Sequence, residues 1–368
     1  MRLSIPRSGS SIRQSGLSLI ELMIALALGL VLTLGVVQVF LGSSKTYRLT
    51  DSLGKVQENI RFTMGALQYD VRMAGHFGCL IGPPFNQLDE GDDDYDGISY
   101  DGFAVVGWDA DGTGIGDDFT IATLEAGTGN WTNGGVGDIP DAIENKMLPG
   151  TDFIVVNGGQ KSPVELDLNP SSNANTLGTT GSVSISKDSI LLVVASDCSG
   201  GDLFQKTNQS DDTLTKGAGN APGNKTPVNE KFDGDYEDDA SIYTFTSTAY
   251  FIGEGANDEP ALFRERLDPG NTSGAVELAE GVENMQILYG VASGVGQTAD
   301  NYVTAAGVTN WDQVVSVRMA LLYRTGDNIT DVAEAGVFNL ASTEITTQSD
   351  RRSRVVGLST VGIRNRLE

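Results

Sequence analysis

Glu21 is the one ionisable side chain between Leu17 and Leu41, a run otherwise built from aliphatic residues, Gly, Phe40 and a few neutral polar groups. About 20 apolar residues at about 1.5 Å each cross the hydrocarbon of a bilayer, so the run is long enough to span one. A carboxylate in such a helix costs roughly 2.5–3.5 kcal/mol at mid-bilayer and less near an end, and it calls for a functional partner. The chemistry that suits it is an amine. A cut between Gly16 and Leu17 would create an α-amino group one helical turn, about 6 Å, from Glu21. The same cut would remove Arg2, Arg7 and Arg13, a basic leader without acids that is retained on the cytoplasmic side.

Hard-cation binding is the other chemistry the residues offer. Asp109, Asp111, Thr113 and Asp117 present oxygen ligands on the glycine-rich stretch Asp109–Asp118, a donor set suited to calcium. The stretch is not an EF-hand, since the twelfth position from Asp109 is Thr120 and the bidentate Glu is missing. The denser run from Asp89 to Asp96 reads as solvated acid. His76 is the only histidine, which excludes a Ser-His-Asp triad and a multi-histidine metal site within one chain. Its neighbours Gly75 and Phe77 suit a helix-ending turn. With no nucleophile elbow and no phosphate-cradling glycine loop, the sequence points away from an enzyme, and calcium is the only cofactor for which it offers a site.

Cys79 and Cys198 form an even set in a chain expected to face an oxidising compartment, so a disulfide is expected. Closing a loop of about 120 residues would stabilise by up to roughly 4–5 kcal/mol in the chain-entropy treatment. Loss of the three leader arginines takes the formal charge from −25 to −28. So acidic a chain argues against nucleic acid as a partner, because phosphate binding needs clustered Lys and Arg.

The elements that must position these groups follow from periodicity. From Lys45 to Gly75 the residues Leu49, Leu53, Val56, Ile60, Met64, Leu67 and Val71 recur at steps of three and four, which predicts an amphipathic helix continuing the apolar one. A continuous helix from Leu17 to about Ala74 would be roughly 85–90 Å long. Gly29, Gly35 and Gly42 are either soft points in it or small-residue packing positions. Beyond Gly75 short β-branched and aromatic runs predict strands near 103–106, 153–156, 190–195, 242–252, 261–266, 285–291, 314–323 and 355–363. From Val315 to Tyr323 the odd positions are all apolar while Arg318 points the other way, as in a sheet with one packed face. Long loops are expected over 83–97, 127–141 and 208–239, the last polar enough to be mobile or disordered.

Two plainer readings of the N-terminus fit less well. A secretory signal would carry a shorter apolar core and a better cleavage site than Phe40-Leu41-Gly42-Ser43-Ser44, and a bare membrane anchor leaves Glu21 unexplained.

Gly16-Leu17-Ser18-Leu19-Ile20-Glu21 resembles the prepilin peptidase site of type IV pilins and type II secretion pseudopilins: Gly before the cut, a hydrophobic first mature residue that becomes methylated, and Glu as the fifth mature residue. Leu17 stands where Phe is usual. Further segments resemble the PilW family of minor type IV pilins: 72–79 (RMAGHFGC), 195–200 (ASDCSG), 280–290 (EGVENMQILYG), Asp350-Arg351-Arg352 and 363–367 (IRNRL). The resemblance implies an α+β pilin-like fold: a leader over 1–16, a membrane and polymerisation half-helix over 17–44, an amphipathic half over 45–78, and a β-rich periplasmic head over 79–368. It also implies processing at Gly16 and Leu17, an assembly contact at Glu21, and prepilin peptidase and other minor and major pilins as partners. The subunit would be stored in the inner membrane, then join a priming complex at the pilus tip with a large adhesin. A minor pseudopilin of type II secretion, or an anchored binding domain that never polymerises, are the alternatives.

Overall fold

The computed structural model describes residues 16, 18–80, 82–95, 97–121, 125–135, 137–167, 175–180, 185–210, 212–219, 221–225, 232–234, 236–269, 274–293 and 298–366; the side chains of Ile98, Asn257 and Arg366 are outside the description. Most of the expected leader and Leu17 lie outside the described residues. One long helix, α1 (Leu19–Met73), is followed by a largely β head. The chain divides into two compact units, one ending at Asp51 and one running from Ser52 to the C-terminus.

In the first unit α1 is apolar all round. An 18-residue window has a mean hydropathy of 2.5, and none of it is buried within the chain. Gly29, Gly35 and Gly42 do not interrupt the helix and have open space around them. Thr33 and Thr46 return their hydroxyl protons to the carbonyls of Gly29 and Gly42, which satisfies those side chains without water.

In the second unit the remainder of α1 buries the predicted stripe, with Val56, Met64, Leu67 and Val71 in the main core. Leu49 and Leu53 fall outside that buried stripe. Polar contacts fix its register: Thr63 meets the Tyr323 hydroxyl at 2.6 Å, Gln68 donates to Ser359 at 2.8 Å, and the Tyr250 hydroxyl donates to Asp70. The helix stops at Gly75, whose φ of +67° is a left-handed end that glycine adopts without a Cβ penalty, and the His76 N–H closes the turn onto the Met73 carbonyl.

All of the expected strands form. Ser241–Glu254 is the axis of a nine-stranded sheet among the described residues, pairing Phe153–Glu165 along one side and, in successive halves, Ile190–Val194 and Pro260–Arg266 along the other. A second, antiparallel sheet is ordered Asn301–Val303, Val282–Val291, Val314–Arg324, Arg354–Gly362. A small third sheet joins Val337–Leu340, Thr343–Thr346 and Asp118–Thr120.

Two expectations are corrected. Val314–Arg324 has two packed faces. Val317, Met319, Leu321 and Tyr323 enter the main core, while Ala320 and Leu322 are covered by Ile121, Leu340 and Ile345 around the third sheet. Strict alternation was misleading because the second cover comes from short strands distant in sequence. Arg318 does point away, onto the Tyr302 ring at 4.0 Å. Within 208–239, the described residues are ordered. Thr213–Thr215 pairs with Thr176–Gly178, Leu214 is fully buried, Lys216 donates to Gln87 at 2.7 Å, and Asn224 donates to the Gln205 and Gly217 carbonyls. These polar residues are buried and hydrogen-bonded, a use of polarity that composition does not distinguish from solvation.

Candidate functional site

Ser18 is the N-cap of α1. Its carbonyl accepts the Leu22 N–H and its own N–H donates to Glu21 Oε2, both at 3.1 Å. Ser18-Leu19-Ile20-Glu21 therefore has the S-x-x-E spacing of a capping box, with Glu21 at the third helical position reaching back to an orphan donor. A carboxylate there also faces the positive end of the helix dipole. Glu21 thus has a local partner that charge reasoning about an amine overlooked, although the spacing signals it. Its side chain remains exposed, and Oε1 carries no hydrogen bond among the described residues. Gly16 is exposed, and the bond it shares with Leu17 falls at the border of the described residues.

Cys79 and Cys198 are joined in a disulfide with Cα atoms 5.4 Å apart, as expected. The bond ties the segment just after α1 to the turn between strands Ile190–Val194 and Gly201–Gln205, where Cys198 takes a positive φ of 62° and its N–H donates to the Ala195 carbonyl.

The aspartate-rich stretch is divided by the fold. Asp109 lies in strand Val105–Ala110 and is buried, Thr113 is buried and donates to the Ala110 carbonyl, and Asp117 accepts the Gly114 N–H. Asp111 sits in the turn, its N–H bonded to the Asn130 carbonyl. Among the described residues no group of three or more His, Cys, Asp and Glu side chains is arranged to hold a metal ion. The structure instead brings Asp109 beside Asp152, one step beyond the paired residues Trp108 and Phe153 of neighbouring antiparallel strands. Asp152 accepts the Ala110 and Ile287 N–H groups at 2.9 and 2.7 Å, and nothing in the sequence links the two aspartates. Burial first, and the neighbouring carboxylate next, push Asp152 well above the usual carboxylate range. Burial likewise pushes Asp109 up to about 6, against a hydrogen bond from Thr304. Asp109 Oδ1, the Tyr289 hydroxyl and Trp311 Nε1 are buried without a hydrogen-bond partner among the described residues.

Residues 12–37 match the family model described as the prokaryotic N-terminal methylation motif, and residues 249–365 match that described as type IV pilus-assembly protein W, PilW. The chain is a PilW-like prepilin. No curated protein and no solved structure matches it significantly. The motif makes it a membrane-anchored pilin, a substrate of prepilin peptidase whose partners in pilus assembly are other pilins.

The PilW-matching part of the prepilin contains an ion network that was not read from the sequence. Glu283 accepts from Arg354 at 2.6 and 3.0 Å and from Arg324 at 3.2 Å, with side-chain exposures of 2, 3 and 9 %. Glu259 pairs with Arg324 and Arg352, and Asp350 with Arg354. Arg352 holds Glu259 below its usual range, and Arg354 does the same for Asp350 against burial. The network clamps three adjacent strands of the second sheet to one another.

Proposed function

We propose that this PilW-like prepilin is cut after Gly16, methylated on Leu17 and stored in the inner membrane with its head in the periplasm. It then enters a pilus through α1 as a low-abundance subunit of a minor-pilin complex that primes assembly, at the fibre tip beside a large adhesin. The role is structural, not enzymatic. One observation carries the reading: a single carboxylate at the start of a helix whose most apolar window has no cover in its own chain, on a chain that also matches PilW. In the isolated subunit one Glu21 oxygen accepts the Ser18 N–H. In a fibre, the amine of an adjacent subunit offers it an opposite charge in a low dielectric, where such a pair is strongest.

Two substitutions separate the roles of Glu21. Glu21→Gln keeps a capping acceptor but removes the charge, and Glu21→Ala removes both. N-terminal sequencing should find methylated Leu17 first in the wild type and both variants. The amount of the chain in sheared fibres should fall by roughly tenfold in each, the equivalent of about 1.4 kcal/mol. A mature start at Met1 or near Ser44, or unchanged incorporation of Glu21→Gln, overturns the proposal. Recovery of the chain in a secretion-type fibre and not in pili reassigns it as a pseudopilin.

A further inference from the structure

Arg354–Gly362 is the outer strand of the second sheet, paired only with Val314–Arg324 and in unbroken register from Arg324↔Arg354 to Ser316↔Gly362. The Ile363 N–H donates to the Val315 carbonyl and the Thr325 N–H to the Ser353 carbonyl. Odd-numbered residues of the strand therefore face the ladder, and the backbone groups of Val356, Leu358, Thr360 and Gly362 face outward. Among the described residues no hydrogen bond reaches those outward groups. Leu358 is 65 % exposed, and from Val355 to Gly362 there is no charge and no proline.

Proteins blunt such edges with short strands, charges, proline or bulges, because a bare edge templates further pairing. Most other edges among the described residues follow that rule. The strands Phe85–Asn86, Trp131–Thr132, Asn301–Val303 and Asp118–Thr120 are two or three residues long, Val276–Glu280 carries Glu277 and Glu280, and the outer stretch of Phe153–Glu165 carries Lys161 and Pro163. Arg354–Gly362, nine residues long, has none of these devices beyond Arg354. The other face of the strand is fixed: Gly357 lies against Ile60 and Met64 of α1, and Ser359 accepts from Gln68.

We propose that this edge accepts an extended segment of a different pilin subunit as an additional strand, with an apolar side chain beside Leu358 and acidic residues flanking the paired stretch. Charge decides the occupant. Exposed Arg351 and Arg364 stand beyond the two ends of the strand in a chain whose net charge is −25. A second copy of the same edge, pairing in either direction, would set arginine against arginine, whereas an acid-flanked strand is complementary. That the partner is a pilin rests on the proposed function; the existence and chemistry of the edge site do not.

The test is amide exchange, read by mass spectrometry over 354–362 in the full chain held in detergent. The probe is a short peptide of alternating threonine and valine with paired aspartates at each end, and its lysine-ended counterpart is the control. The aspartate-ended peptide should slow roughly three additional amides in this segment, at Val356, Leu358 and Thr360, on top of those already held by the ladder. Leu358→Lys and Thr360→Pro should abolish the added protection while leaving the melting temperature of the free chain unchanged. The same amides should be slow in fibres containing sibling pilins. No added protection from the aspartate-ended peptide overturns the site whatever the Glu21 variants show. Equal protection by the lysine-ended peptide overturns the charge assignment, and protection that grows with the concentration of the chain alone overturns the choice of a different subunit. Protection by the peptide together with normal incorporation of Glu21→Gln removes the pilus reading and leaves the edge standing.

Discussion

Replacing Glu283 by glutamine would test what holds the PilW-matching sheet together. The substitution preserves size, so it leaves no cavity, but it strips the charge that compensates two guanidinium groups buried to within a few per cent. Breaking a buried ion pair from one side costs about 3–5 kcal/mol because the remaining charge is left uncompensated. Here each arginine keeps another carboxylate, Asp350 for Arg354 and Glu259 for Arg324, which places the expected loss near the lower bound, about 3 kcal/mol. For a head of this size that corresponds to a fall in melting temperature of roughly 5 °C. The assay is thermal and urea unfolding of the full chain in detergent, followed by near-ultraviolet dichroism, with the disulfide intact. The double variant Glu283→Met/Arg324→Met should recover part of the loss, since removing both members of the pair relieves the stranded charge. A loss below about 1 kcal/mol for Glu283→Gln would refute the reasoning, placing the network among the surface pairs that contribute little.

Two further outcomes follow from the disulfide and from a buried carboxylate pair. Reducing the disulfide or making Cys198→Ser should cost up to roughly 4–5 kcal/mol, read as a lowered urea midpoint with a steeper slope, because the unfolded chain without the cross-link exposes more surface. The buried Asp109 and Asp152 have folded values raised above the ordinary carboxylate range, so the native state binds more protons than the unfolded chain. The contribution of this pair to stability is then greatest below about pH 4 and is lost as the pH rises toward about 6 and beyond. Asp109→Asn should flatten that decline and raise the neutral-pH stability by up to roughly 3 kcal/mol, with no difference below about pH 4; a parallel offset at every pH in a pH series of urea titrations would contradict it.

How much was legible depended on the range of the physics. The stripe through Val56, Met64, Leu67 and Val71 and the strand runs are local patterns imposed by helix and sheet periods, and they formed where expected. The cysteine pairing was legible because two cysteines allow one intramolecular bridge. The capping role of Ser18 is local too, carried by the S-x-x-E spacing from Ser18 to Glu21. What could not be read was pairing between residues far apart. Polar runs around Lys216 and Asn224 resemble solvated loops until the partners that bury them are in place.

The sequence by itself determined the membrane-spanning apolar helix with its single carboxylate, its amphipathic continuation, the disulfide and the β character of the head. Each depends on composition or on spacing within a few residues. Tertiary structure decided that Asp109 meets Asp152, that Glu283 binds Arg324 and Arg354, and that Arg354–Gly362 is left as an open edge. Those outcomes depend on strand order and register, which are set by the packing of the whole head, and no local pattern encodes which strand will lie outermost.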